Sequence, residues 1–238
     1  MPNARSLAPS RTLALSFLAL LTWAAPSGAA DKIDPAALRK VKAATVHIKV
    51  TFPDGDVSEG SGFATRLRGL VVTNAHVVGM LDNDSPRPKK IEVTFNSGEA
   101  NSRAIESKIG YVEGESDIAL LMVPSGDFKE YPELLPVAYS AQLTETQDVF
   151  VVGFPLGNRA GPNVTVTATT VTSLRKEGGR LTRVQVNGGM HPGNSGGPVV
   201  DKDGKVVGIA VAAFANTQLH LAIPTEEMNG IFNGRIKN

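Results

Sequence analysis

Thr45-Val46-His47-Ile48-Lys49-Val50 alternates polar and apolar residues with a period of two, the signature of a strand with one face packed and the other wet. By that alternation His47 faces solvent between Val46 and Ile48. Val164, Val166 and Ala168 alternate in the same way with Thr165, Thr167 and Thr169, and Val184 and Val186 with Arg183 and Gln185. Continuous apolar runs at Ile118 to Val123, Val149 to Val152 and Val206 to Val211 read as strands buried on both faces, set apart by Gly, Pro, Asn and Asp turns. Helical periodicity is nearly absent. About a dozen short strands predict an all-β antiparallel fold, as barrels or a sandwich.

Helices are expected only at the two ends. Asp34 followed by Pro35 suits an N-cap and first helical position for a short helix through about Lys42. A second helix is expected from Pro224 to about Phe232, within a closing segment of about 224–234. Between the β halves, residues 124–136 (PSGDFKEYPELLP) have no period and three prolines, which marks them as a linker between a first half at about 43–123 and a second at about 137–223.

Of 238 residues, 42% are hydrophobic and 20% charged, enough to bury a core. With 24 Lys+Arg against 23 Asp+Glu there is no polybasic field to hold nucleic acid or anionic lipid. The absence of Cys excludes disulfides, a Cys nucleophile and thiolate metal sites. No His or carboxylate spacing implies a metal, and no cofactor is expected.

Residues 1–30 carry Arg5 and Arg11, no acidic residue, an apolar run from Leu13 to Ala25, and small residues at Ser27, Gly28, Ala29 and Ala30. This is the plan of a secretory signal peptide. The apolar run of about a dozen residues is short of the roughly 20 that cross a bilayer. Cleavage after Ala29 or Ala30 fits equally well. Removal of residues 1–30 takes Arg5 and Arg11 with it and leaves 22 basic and 23 acidic residues in 31–238. The expected product is exported, periplasmic or extracellular, with no stable membrane span.

Chemistry concentrates in three places. Gly193-Asn194-Ser195-Gly196-Gly197-Pro198 sets a Ser among glycines just before an apolar strand. Such a stretch can turn sharply, expose the hydroxyl and aim successive amides into one concavity, as an acyl-transfer nucleophile needs, with Gly193 and Ser195 N–H receiving the oxyanion. A Ser hydroxyl needs an adjacent base. Of the four histidines, His76 follows the apolar strand Leu70 to Asn74 and opens a short turn from Ala75 to Met80, on the lip of a cleft. Asp117, at the mouth of Ile118-Ala119-Leu120-Leu121, is the candidate carboxylate to orient it, although a turn Asp would read the same way.

Taken together, Gly60-Ser61-Gly62-Phe63, Thr73-Asn74-Ala75-His76-Val77-Val78, Ser116-Asp117-Ile118-Ala119-Leu120, Gly153-Phe154-Pro155-Leu156-Gly157, Pro192 to Pro198 and Ala222-Ile223-Pro224 resemble trypsin-like (chymotrypsin-fold) serine proteases, in particular the bacterial HtrA/Deg branch. The motifs follow that family's order, 41 and then 78 residues apart from His76 to Asp117 to Ser195. The resemblance implies two packed six-stranded antiparallel β-barrels over residues 31–238. It implies His76 as base, Asp117 as its orienter, Ser195 as nucleophile, and an oxyanion hole at Gly193 and Ser195. Substrate-binding positions are implied at His191, Ala210, Val211, Ala212 and His220. The implied activity is that of an endopeptidase acting on unfolded or damaged polypeptides. Two alternatives stand beside it: a catalytically inactive domain that binds peptides, and an esterase using the same triad.

Departures from the family pattern carry their own expectations. Val211 stands where a Ser or Thr often bonds the triad Asp, so Asp117 is expected to be held less firmly, or by backbone amides alone. His191 replaces an Asn, and His220 a small residue, near the implied specificity pocket. Two histidines there would narrow the pocket or titrate at about pH 6 to 7, favouring cleavage after acidic residues. Branch members commonly carry PDZ domains after the protease. The sequence ends at Asn238, fourteen residues past Pro224, and the expectation is a protease domain without one.

Overall fold

Asp34 caps the first helix as its residue type dictates: its Oδ1 accepts hydrogen bonds from the Ala36 and Ala37 amides at 2.9 and 2.8 Å. The structure, a computed structural model, describes residues 32–82, 84–124, 131–211 and 219–234. The expected export signal lies outside the described residues. Helix α1 (Pro35–Ala44) runs two residues past Lys42. The Thr45 hydroxyl closes its end by donating to Val41 O at 2.7 Å, and the chain passes directly into β1 (Thr45–Thr51).

Strand β1 is followed by β2 (Val57–Ala64), β3 (Leu70–Thr73), β4 (Lys90–Phe95), β5 (Arg103–Glu113) and β6 (Ile118–Met122). They close into an antiparallel barrel in the order β1-β2-β3-β6-β5-β4. A second barrel uses β7 (Asp148–Gly153), β8 (Thr165–Glu177), β9 (Arg180–Val186), β10 (Pro198–Val200), β11 (Val206–Val211) and β12 (His220–Ile223), ordered β7-β8-β9-β12-β11-β10. Both barrels have the same winding, though the sequence shows no internal repeat. Closure leaves no open sheet edge, and the sandwich alternative is excluded. Helix α2 (Thr225–Gly234) follows β12, its start one residue after Pro224.

The continuous apolar runs are buried on both faces, as expected: β6 is covered until Met122 emerges, and β7 and β11 are covered until their outer ends. Each fully buried Val, Leu, Ile or Phe side chain contributes about 1.5–3 kcal/mol by leaving water. One apolar cluster runs from the first barrel interior across the seam to Phe150, Val152, Val206 and Ile223. A second fills the other barrel around Val149, Val171, Val184, Val199 and Met190.

Two readings of alternation are corrected at that seam. His47 does not face solvent; it is 6% exposed. Its ring stands edge-on to Phe154 with centroids 5.3 Å apart, because residues from the other barrel cover this outer face of β1. Burial lowers its pKa, and Lys49 acts the same way while Glu59, at 3.5 Å, opposes them. In β8 the inward residues are Thr169 and Val171, whereas Ala168 is exposed. Val164 and Val166 pack against the cluster that spans the first barrel, and Val171 belongs to the second. Each face of this strand therefore meets a different core.

Of the linker segment, residues 125–130 lie outside the described residues. Its remainder is irregular and stitched to both barrels: Leu135 bridges to Thr65, Pro136 O accepts from Val206 N–H at 2.8 Å, and the Tyr131 hydroxyl donates to Leu70 O at 3.2 Å.

Candidate active site

Where β3 ends, Ala75, Val77 and Val78 are driven inward by their apolar side chains, leaving His76 half-exposed on a hydrogen-bonded turn. The turn closes through Met80 N–H to Ala75 O at 2.9 Å and Gly79 N–H to His76 O at 3.1 Å. Asp117 ends a second turn, its amide donating to Gly114 O at 3.0 Å, immediately before β6. Its φ of +56° is left-handed, a region that Asp and Asn enter more readily than other side chains.

Asp117 holds His76 twice. Its Oδ1 accepts the His76 main-chain N–H at 2.9 Å, and its Oδ2 lies 2.7 Å from His76 Nδ1. A carboxylate there keeps the proton on Nδ1 and presents Nε2 as a lone pair. The buried Asn74 secures the other side by donating through Nδ2 to Asp117 O at 2.8 Å. The Val211 side chain has no donor to offer, and it stands on the wall of the cleft beside His76. That cleft, about 570 Å³, opens beside His76 between Asp117, Leu81, Gly114, Arg183 and Val211.

Ser195 is 5% exposed on a turn that its neighbours make tight. Asn194 N–H donates to His191 O and Gly197 N–H to Asn194 O, both at 2.9 Å. Ala210 locks the far side, accepting from Gly196 N–H at 2.9 Å and donating to Gly197 O at 2.8 Å. Gly193 and Gly196 have φ of +96° and +82°, and a methyl group on Gly196 would lie 2.3 Å from both Ser61 O and Thr73 Oγ1. Only Gly fits there.

The Ser195 turn and the His76 turn meet across the seam. A methyl on Gly196 would also be 3.0 Å from Asn74 N, and one on Gly60 would be 2.7 Å from Val77 Cγ1 and 3.3 Å from Ser195 O. Residues beside Ser195 thus pack on residues beside His76. This arrangement has the components of acyl transfer: a hydroxyl on a sharp turn, an oriented imidazole and amides gathered around one loop.

The other expected positions divide. Ala210 is wholly buried and braces the Ser195 turn. His191 is exposed and contributes its carbonyl to that turn. His220 is half-buried on β12 opposite Val186, with Nδ1 shielded and without a hydrogen-bond partner among the described residues. Neither histidine is among the described residues lining the cleft beside His76. Ala212 lies outside the described residues. Sequence reasoning missed Asn74 and the buried Ser61, whose signal was a lone polar residue between two glycines in Gly60-Ser61-Gly62.

A family model described as "Trypsin-like peptidase domain" matches residues 60–209. Serine protease HTRA3 of Rattus norvegicus is 30% identical over 204 residues, 80% of this chain and 42% of that protein. Protease Do-like 1, chloroplastic, of Arabidopsis thaliana is 30% identical over 190 residues, 75% of this chain and 39% of its own length. The chain thus spans about two-fifths of the curated relatives it matches. Among solved structures, an HtrA-type protease AlgW with a tripeptide superposes with a TM-score of 0.66 at 24% identity, covering 83% of this chain and 62% of that one. Deg5 gives 0.66 at 24% identity, covering 82% and 89%. These two likenesses concern the fold.

Proposed function

The chain belongs to the trypsin-like peptidase family, and from that membership we propose that it is an exported serine endopeptidase. Ser195 Oγ attacks the scissile carbonyl while His76 Nε2 takes its proton. Asp117 keeps the ring in the required tautomer and stabilises the imidazolium. The amides of Gly193 and Ser195 receive the oxyanion. His76 then protonates the leaving amine, and water hydrolyses the acyl-enzyme. The observation that carries this reading is the double grip of Asp117 on His76, at 2.9 and 2.7 Å, beside the Ser195 turn. The relative named as a serine protease, and the one named as a protease, support the same activity.

Substrates in this reading are polypeptides, unfolded or damaged, met outside the cytoplasm after removal of residues 1–30. The charge and apolar pattern of those residues supports export, and N-terminal sequencing of the exported protein should begin at Ala30 or Asp31.

Labelling with a fluorophosphonate, followed by casein digestion, tests the chemistry. Both should occur in the wild type and vanish in Ser195→Ala and His76→Ala, with a loss of up to roughly 10⁶ in kcat. Labelling without proteolysis would favour ester substrates. A folded wild-type protein that takes no label would overturn the proposal and favour a peptide-binding domain.

A further inference from the structure

Ser61 lies in β2 of the first barrel, fully buried, yet all of its polar groups except one carbonyl are spent on the second barrel. Its hydroxyl donates to Gly193 O at 2.6 Å and accepts from Phe154 N–H at 3.0 Å. Its main-chain N–H donates to Ser195 O at 2.8 Å. The remaining group, Ser61 O, accepts from the Thr73 hydroxyl at 2.7 Å, which ties the cluster to the strand leading to His76. A hydroxyl has one proton to give, and here it goes to the loop of the nucleophile.

The two peptide planes flanking Gly193 are both fixed by this arrangement. The plane from Gly193 to Asn194 is held directly, through Gly193 O and Ser61 Oγ. The plane from Pro192 to Gly193 is held through Pro192 O, which accepts from Leu156 N–H at 2.6 Å. In a trans peptide the N–H points opposite to the C=O. The bond to Leu156 therefore sets the direction of Gly193 N–H. The loop carrying Leu156 leaves β7 at Phe154, whose N–H is bound by the same Ser61 hydroxyl. At φ +96° Gly193 has no side chain to restrict rotation, so these bonds supply the restriction.

We propose that Ser61 is a positioning residue for the oxyanion hole: its hydroxyl, gripping Gly193 O and Phe154 N–H together, aims the Gly193 amide at the developing oxyanion. The inference rests on the reading of Ser195 and the Gly193 and Ser195 amides as acyl-transfer machinery. Ser61 itself touches no reacting atom. Substitution by Ala frees both partners at once. Its vacated space is too near the retained Cβ for a water to occupy, and the walls are tight: a methyl on Gly153 would be 2.7 Å from Ser61 Oγ, and one on Gly197 would be 3.1 Å from its Cβ.

Kinetics of Ser61→Ala and Ser61→Cys on a peptide ester, with Ki for a peptide boronate and Kd for the matching peptide acid, test the assignment. Deleting an oxyanion donor costs about 10²–10³ in kcat. Misaiming one should cost Ser61→Ala about 10- to 10²-fold, with KM unchanged. Boronate affinity should fall by the same factor while the peptide acid binds as before. The pH at half-maximal kcat/KM, which reports His76, should not move. Ser61→Cys keeps a weak donor, so its kcat should fall between those of wild type and Ser61→Ala; it carries the test alone if Ser61→Ala does not fold. Wild-type kcat in a folded variant with lowered thermal stability would assign Ser61 a merely structural role and overturn the inference. Equal losses in boronate and peptide-acid binding would do the same. A wild-type protein that neither labels with fluorophosphonate nor turns over the ester would sink the protease reading itself, and the inference with it.

Discussion

Asp117→Asn isolates the electronic contribution of the carboxylate to the proposed triad. The left-handed φ of +56° at this position suits Asn, whereas Ala would add strain of about 1–2 kcal/mol and confuse the result. The Asn74 bond to the residue 117 carbonyl is untouched. What changes is the pair of acceptors facing His76: Asn offers one oxygen and one NH₂ where the carboxylate offered two oxygens. The oxygen belongs opposite the His76 main-chain N–H, which cannot rotate away, so the NH₂ faces Nδ1 and donates to it. The ring proton then moves to Nε2, and the lone pair needed by Ser195 is gone.

The reverse orientation sets two N–H donors against each other across a 2.9 Å gap and leaves a main-chain donor unmade, at about 1–3 kcal/mol. Even then the imidazolium of the transition state lacks its carboxylate, an attraction of about 4 kcal/mol at roughly 4 Å and an effective dielectric constant near 20. Together these cost about 5–7 kcal/mol, or roughly 10⁴- to 10⁵-fold in kcat. Changing the Asp of another Ser-His-Asp triad to Asn costs about 10⁴. The assay is steady-state hydrolysis of a peptide ester, with kcat and KM resolved and thermal melting run in parallel. KM should stay within a few-fold, and the protein should remain folded. A folded variant with kcat within tenfold of wild type would refute the argument that Asp117 sets the tautomer.

Gly196→Ala should lower stability by roughly 2–5 kcal/mol in urea denaturation, from left-handed strain and a methyl forced onto Ser61 O and Thr73 Oγ1. Gly178→Ala, with φ +57° and no atom within 4 Å, is the control and should cost only about 1–2 kcal/mol; equal costs would show that crowding at Gly196 does not matter. His47 predicts a pH effect. Its pKa is lowered from 6.5 in the folded protein, so between the two values the unfolded chain binds a proton the folded chain lacks, and stability falls as pH drops through that window. Melting temperatures of wild type and His47→Gln should converge on acidification from about pH 7.5 to pH 5.5, and a constant gap would count against it. Asp34→Ala removes both bonds to the first turn of α1 and should cost about 1 kcal/mol, measured as a fall in melting temperature.

The residues of the candidate site were legible because the chemistry proposed for them leaves local marks. A nucleophilic turn needs Gly where φ is positive, and Gly193 and Gly196 stand there. A histidine among Ala75, Val77 and Val78 is the one side chain left at the surface when those three go inward. Likewise Asp34-Pro35 carries its own capping geometry, and the runs in β6, β7 and β11 are apolar because both faces are covered. Each feature is decided within a few residues, which is the range over which sequence patterns speak.

Alternation fails where the outside of one barrel is the inside of the seam. A period of two says that a strand's faces differ; it cannot say that the polar face will be covered by residues a hundred positions away. His47 meets Phe154 there, and β8 turns Val166 toward one core and Thr169 and Val171 toward the other. Ser61 belongs to the same class. Gly60 leaves room for Val77 and Ser195 O, and Gly62 for Ile48 and Val71, so Gly60-Ser61-Gly62 is a place where chain segments close to backbone distance. A polar side chain buried at such a crossing must find its partners on the other segment. Ser61 finds Gly193 and Phe154, and this need for partners ties a core residue of the first barrel to the Ser195 loop of the second.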